Sequence, residues 1–365
     1  MKSISSFAII ILLTIFPFSS IAQIMDTGPL DAYWKLIEPL KKGDSLSSKT
    51  WNDFLAIEAN QIYIENQGFN ADYMERFRKA LEYVYMPKYD SLLNLRLAAI
   101  EKDPSSYWLT YKVYMYKKYE KELKEYEKQL LNPSYIPTMY TQTFKWLPKY
   151  LRKRDTSIHF YVLGIENDAI AGGGVIIASL WTLYNQDRIN FGSTAAHEMH
   201  HNLRQPLNFK NISESEKGLM YILNSVLNEG SADMIDKPAN VLLENELPSE
   251  LRYKDFLLYQ ADSIVNVINE DIMTMAKTQG KDYKSEKEYR NLVRWTSGHC
   301  PGYYMADIIV KNGFKKELIK NIQNPFSFIY LYNKAAKRDI KKPSQFSRIS
   351  LDYIRSLEMK YWGKV

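Results

Sequence analysis

Cysteine is nearly absent: of 365 residues, only Cys300 carries a thiol. A single thiol cannot close an intrachain disulfide, so stability must come from an apolar core. A structural zinc site built on several cysteines is excluded for the same reason. Histidine is also scarce, with five residues, so any clustering of them is informative. Glycine (15) and proline (14) are too few for a fibrous or low-complexity chain. Charge of one sign is lacking too: 48 basic against 42 acidic residues leave a modest +6. The densest basic stretch, Lys334 to Lys342, is interrupted by Asp339 and has no aromatic reading motif. It is a solvated face, and no nucleic-acid partner is expected.

The first residues contain an apolar segment of twelve, Phe7 to Phe18, too short for the ~20 residues that a membrane-spanning helix needs. Lys2 before it and the small-x-small triplet Ser20-Ile21-Ala22 after it make residues 1–22 a secretory signal peptide, cleaved near Ala22. The expectation is an exported protein, periplasmic or secreted, with no stable membrane span. Asn211-Ile212-Ser213 matches a glycosylation sequon, a triplet common by chance.

What remains is long enough for two or three packed units. From Asp31 to Leu131 the spacing is helical, opened by Trp34, Leu36, Ile37 and Leu40. Tyr107 to Leu131 reads as one long helix with supporting pairs such as Glu120/Lys124. Pro133, Pro137 and Pro148 mark a linker. Ile158 to Leu163 and Val175 to Leu180 are rich in β-branched and aromatic residues and predict strands, with Gly172 to Gly174 as a flexible turn between them. After Pro238 helices return. The fold class is α+β, mainly α. Four regions are expected: the signal peptide, an N-terminal helical region over 23–147, a catalytic core over 148–240 and a C-terminal helical subdomain over 241–365.

Three of the five histidines fall in His197-Glu198-Met199-His200-His201. The His-Glu-x-x-His spacing puts His197 and His201 one turn apart on a single helical face, where each can offer a ring nitrogen to one ion. Glu198 sits beside them, within reach of a water on that ion, as a general base. Such a three-position pattern arises by chance in roughly one per cent of chains of this size, so context decides. Ser193-Thr194-Ala195-Ala196 supplies a helix start and Pro206 a stop. His200 is a neighbour of the pair. A catalytic zinc takes three protein ligands and keeps a position for water. Downstream, Leu219, Ile222, Leu223, Val226 and Leu227 form a helical apolar stripe ending in Asn228-Glu229-Gly230-Ser231-Ala232-Asp233. Glu229 and Asp233 share a face: one can bind the metal and the other can accept the spare N–H of a ligating imidazole. Glu229 is the candidate third ligand, with Asp233 or Asp236 as alternatives.

Residues 197–201 and 228–233 together match His-Glu-x-x-His followed by Asn-Glu-x-x-x-Asp, and in this the sequence resembles the gluzincin metallopeptidases, the thermolysin-like branch of the zincins. As a whole the chain also looks like exported bacterial zinc-dependent proteases. The resemblance implies zinc held by His197, His201 and Glu229, with Glu198 as base and Asp233 supporting His197. It implies a small sheet ahead of the active-site helix, whose edge strand, here Val175 to Leu180, pairs with an extended peptide or protein substrate. It further implies a later His or Tyr over the metal. His299 is the candidate, with Tyr303 or Tyr304 behind it. The gap between His201 and Glu229 exceeds the usual one, and Pro206 to Lys217 looks like an inserted polar loop. The expected activity is zinc-dependent peptide hydrolysis. Two other readings use the same residues: an inactive zincin-fold protein that binds a peptide or partner, and a hydrolase of another amide or ester.

Overall fold

The computed structural model describes residues 25–362 except 104 and 295, so the expected signal peptide lies outside the described residues. The described chain is mainly helical around one four-stranded mixed sheet. No helix among the described residues is long and apolar enough to cross a membrane.

The sheet consists of β1 (Met25–Asp26), β2 (His159–Leu163), β3 (Ala169–Gly172) and β4 (Val175–Ser179), in the order β1-β2-β4-β3. β2 is parallel to β1 and to β4, with Phe160 opposite Ile176, while β3 runs antiparallel to β4, with Ile170 opposite Ile177. β4 therefore pairs on both sides and is not the edge strand expected from the sequence. The edges are β1 and β3, and the one beside β4 is β3, whose Ala-Ile-Ala-Gly lacks a β-branched run. Gly173 and Gly174, both at positive φ (59° and 84°), turn the chain back between β3 and β4. β4 also stops one residue early. The Ser179 hydroxyl accepts the Thr182 N–H at 3.1 Å, capping a helix that begins at Leu180.

The stretch Tyr107 to Leu131 forms two helices, α1 (Trp108–Lys118) and α2 (Glu120–Leu130), and not the single one predicted. The break at Tyr119 (φ −109°, ψ 22°) involves no proline or glycine. Tyr119 packs its ring 5.4 Å from that of Trp181, and Glu120 accepts from both Lys41 (2.7 Å) and Lys124 (2.6 Å). Tertiary contacts outweigh local propensity here. The proline-marked stretch contains a helix too, α3 (Tyr135–Phe144), with Pro137 in its first turn, where an N–H would have had no helical partner. The Thr143 hydroxyl of α3 donates to Ala196 O at 3.0 Å, which docks α3 on the second helix after the sheet.

That helix is α4 (Ser193–Arg204), and α5 (Glu214–Leu242) packs against it as a single 29-residue helix that runs through Gly230 and Pro238. α5 in turn crosses α7 (His299–Lys311); the short α6 (Lys254–Leu258) lies against the start of α7. The α5–α7 crossing brings backbone to backbone. A Cβ on Gly230 would lie 2.3 Å from Gly302 O, and one on Gly302 would lie 2.6 Å from Val226 O. Only glycine permits that approach. One continuous apolar core joins N-terminal residues such as Tyr33 and Leu81 to Phe160, Ile176, Met199, Leu223 and Met305.

Candidate metal centre

α4 begins at Gly192 (φ 75°), whose N–H donates to Asp187 Oδ1 at 3.0 Å, and it ends at Gln205 in the left-handed region just before Pro206. Its turns present His197 and His201 toward α5. The Nε2 atoms of these two rings are 3.0 Å apart, and Glu229 Oε2 on α5 lies 3.7 Å from the first and 3.3 Å from the second. Donors about 2.1 Å from a tetrahedral ion stand about 3.4 Å from one another. The three separations bracket that spacing, and two imidazoles with a carboxylate match the donors zinc prefers. Glu229 is steadied by Asn228, whose amide donates to Oε1 at 2.9 Å.

His299, brought in by the glycine crossing, puts its Nε2 3.3 Å from the same Glu229 oxygen. His197, Glu229 and His299 together form one potential metal-holding group. The Nδ1 of His299 is gripped by both oxygens of Asp233, at 2.9 and 3.0 Å. The expected Asp233–His197 support is thus corrected. Asp233 is 3.8 Å from His197 Nδ1, whereas Asp236 approaches it at 3.1 Å. Positions 229, 233 and 236 follow i, i+4, i+7, so all three carboxylates project from one face of α5. That spacing was the available signal for Asp236. Which carboxylate meets which histidine depends on how α4, α5 and α7 cross.

The remaining candidates make none of these ligand contacts. His200 is fully buried and makes none of these contacts; burial holds its pKa well below the usual value. Tyr303 is buried, and no hydrogen bond joins it to the site; Tyr304 donates to Asp262 Oδ1 at 2.9 Å, away from it. The Cys300 thiol is also buried, and its pKa is pushed up to about 11, which does not suit a nucleophile. Phe256 of α6, partly exposed, packs its ring 5.9 Å from that of His299.

The electrostatics follow from crowding. Burial works to raise the Glu229 pKa, but His201, His299 and His197 overcome it and hold the carboxyl well below its ordinary range. Burial raises Glu198, with Glu229 and Asp168 adding to it against the pull of His197 and His201. Burial alone would lower His299, yet Asp233 and Glu229 bring it above the usual imidazole value. The loop into β3 is anchored from the N-terminal helices: buried Glu166 pairs with Lys112 and accepts from Tyr73 Oη at 2.8 Å.

A helix bearing two imidazoles and a glutamate, closed by a carboxylate from a second helix, is a donor set suited to zinc-dependent hydrolysis. The chain belongs to the family described as "Putative zinc dependent peptidase (DUF5700)", which matches residues 51–341. Zinc is accordingly the cofactor that this donor set fits. No curated protein and no solved structure matches the chain.

Proposed function

We propose that the chain is a gluzincin-type zinc peptidase acting outside the cytoplasm. The observation that carries this is the convergence of His197, His201 and Glu229 within 3.7 Å of one another, with Glu198 next in the chain to the first ligand. The signal-like N-terminus supports the site of action. His197, His201 and Glu229 would hold the zinc, which would supply Lewis acidity toward a water and a carbonyl oxygen. Glu198 takes the proton from the attacking water and passes it to the leaving nitrogen, so no proton is lost overall. His299 has its Nδ1 committed to Asp233, so its Nε2 donates when the ring is protonated. In that form it stabilises the negative charge developing on the carbonyl oxygen. β3, the open edge beside α4, offers backbone groups to an extended peptide.

The test is Glu198→Gln. Zinc content by elemental analysis should be unchanged, and chelator-sensitive cleavage of a mixed-peptide library should disappear. Retained cleavage would remove Glu198 as the base. A wild-type protein that cleaves esters or non-peptide amides but no peptide, or that cleaves nothing while binding zinc, would replace the peptidase reading.

A further inference from the structure

Asp236 is a shared carboxylate. Its Oδ1 faces His197 Nδ1 at 3.1 Å, and its Oδ2 accepts from Lys237 Nζ at 2.6 Å. Asp236 is fully buried and Lys237 is 8% exposed. The ammonium also lies 4.8 Å from the centre of the Tyr253 ring. The Tyr253 hydroxyl accepts from Gln186 Nε2 at 3.1 Å, and Gln186 Oε1 accepts from the Thr194 hydroxyl at 2.6 Å in the first turn of α4. A chain of polar contacts therefore leaves α4 at Thr194 and returns to it at His197, with Lys237 in the middle.

Burying an ammonium is costly, and a hydrocarbon of equal size would pack there more cheaply if packing were its only task. A carboxylate with one free oxygen can rotate. One whose second oxygen is fixed presents the first in a single direction. We propose that Lys237 is a positioning residue for His197: by occupying Oδ2 of Asp236 it fixes Oδ1 on the Nδ1–H, and so aims Nε2 at the metal. This rests on the reading of His197 as a zinc ligand.

The experiment measures zinc affinity by chelator competition on the full chain, the visible spectrum of the Co²⁺ form, and the melting temperature of the metal-free protein. The variants are Lys237→Met, Asp236→Asn, the pair combined, and His197→Ala. Partners of ligating imidazoles contribute about 10- to 100-fold in metal affinity. Lys237→Met should weaken zinc about tenfold and shift the Co²⁺ spectrum. Asp236→Asn should do the same or more, and the double variant should be no weaker than Asp236→Asn alone, because Lys237 acts only through Asp236. The double variant also removes both buried charges, which keeps the comparison available if Lys237→Met folds poorly. Losses that add in the double variant, or a lowered melting temperature with zinc affinity and Co²⁺ spectrum unchanged, would overturn the role of Lys237. Zinc binding indifferent to His197→Ala would instead overturn the metal-site reading itself, and the role of Lys237 with it.

Discussion

Gly230→Ala is the substitution that most directly tests how the site is assembled. The new Cβ would lie 2.3 Å from Gly302 O, and the neighbouring atoms are helix backbone, not a yielding side-chain tip. An ordinary C···O contact is about 3.3 Å, so α5 and α7 must separate by about 1 Å. Overpacking of this kind costs about 1–3 kcal/mol, which in a domain of this size lowers the melting temperature by several degrees. The functional loss should be larger in proportion. α7 carries His299, and a displacement of about 1 Å at a reacting group can cost about 10²-fold in rate. His197 and His201 on α4 and Glu229 on α5 do not depend on that crossing, so zinc should stay bound. The assay pairs kcat/KM on a cleaved peptide with zinc stoichiometry and a melting curve. A near-native kcat/KM with a depressed melting temperature would refute the idea that the glycine crossing places a working His299. Loss of zinc would show that the ligands depend on α7 after all.

His299→Ala should lower kcat by about 10²- to 10³-fold with zinc retained, the usual loss for an oxyanion donor; an unchanged kcat would leave His299 without that role. Asp233→Asn should reproduce part of the loss, and adding it to His299→Ala should change little further. Asp187 supplies a pH dependence remote from the metal. Burial pushes its carboxyl up to about 7, against hydrogen bonds from Tyr126, Gly192 and Tyr135. The native state then holds a proton between about pH 4 and pH 7 that the unfolded state has released. Stability from this group is fully present below pH 4 and lost as pH rises through 7, by at most about 4 kcal/mol. The melting-temperature difference between wild type and Asp187→Asn should therefore grow in favour of Asn from pH 5 to pH 8; a constant difference would count against the shift.

The sequence carried the parts of the site that depend on one helix. His197 and His201 share a face because four residues make about one turn, and the stripe ending at Glu229 had the same period. These features were legible without a partner. Tertiary geometry decided the rest. Asp233 and Asp236 both face inward on α5, and only the crossing angles assign one to His299 and the other to His197. β3 was hidden because Ala169 to Gly172 is short, has a single β-branched residue, and becomes a strand by pairing with β4. The break at Tyr119 carries no local signal, since it is imposed by Trp181 and by the pairing of Glu120. The polar stretch after Pro206 is a loop only as far as Ser213; from Glu214 the wide spacing before Glu229 is turns of α5.

Glu229, Asp233, Asp236 and Lys237 stand on about two consecutive turns of one helix, which makes α5 a ruler with a reading frame. Within that span a single inserted or deleted residue would rotate everything beyond it by about 100° and scatter the partners of two histidines at once. The segment from Gln205 to Ser213 has no such frame, because its length changes nothing about the angle at which α5 presents its carboxylates. Length variation among relatives should therefore collect in that connection and be excluded from 229–237. The length of that connection is a freedom that the helix geometry grants without loss to the site.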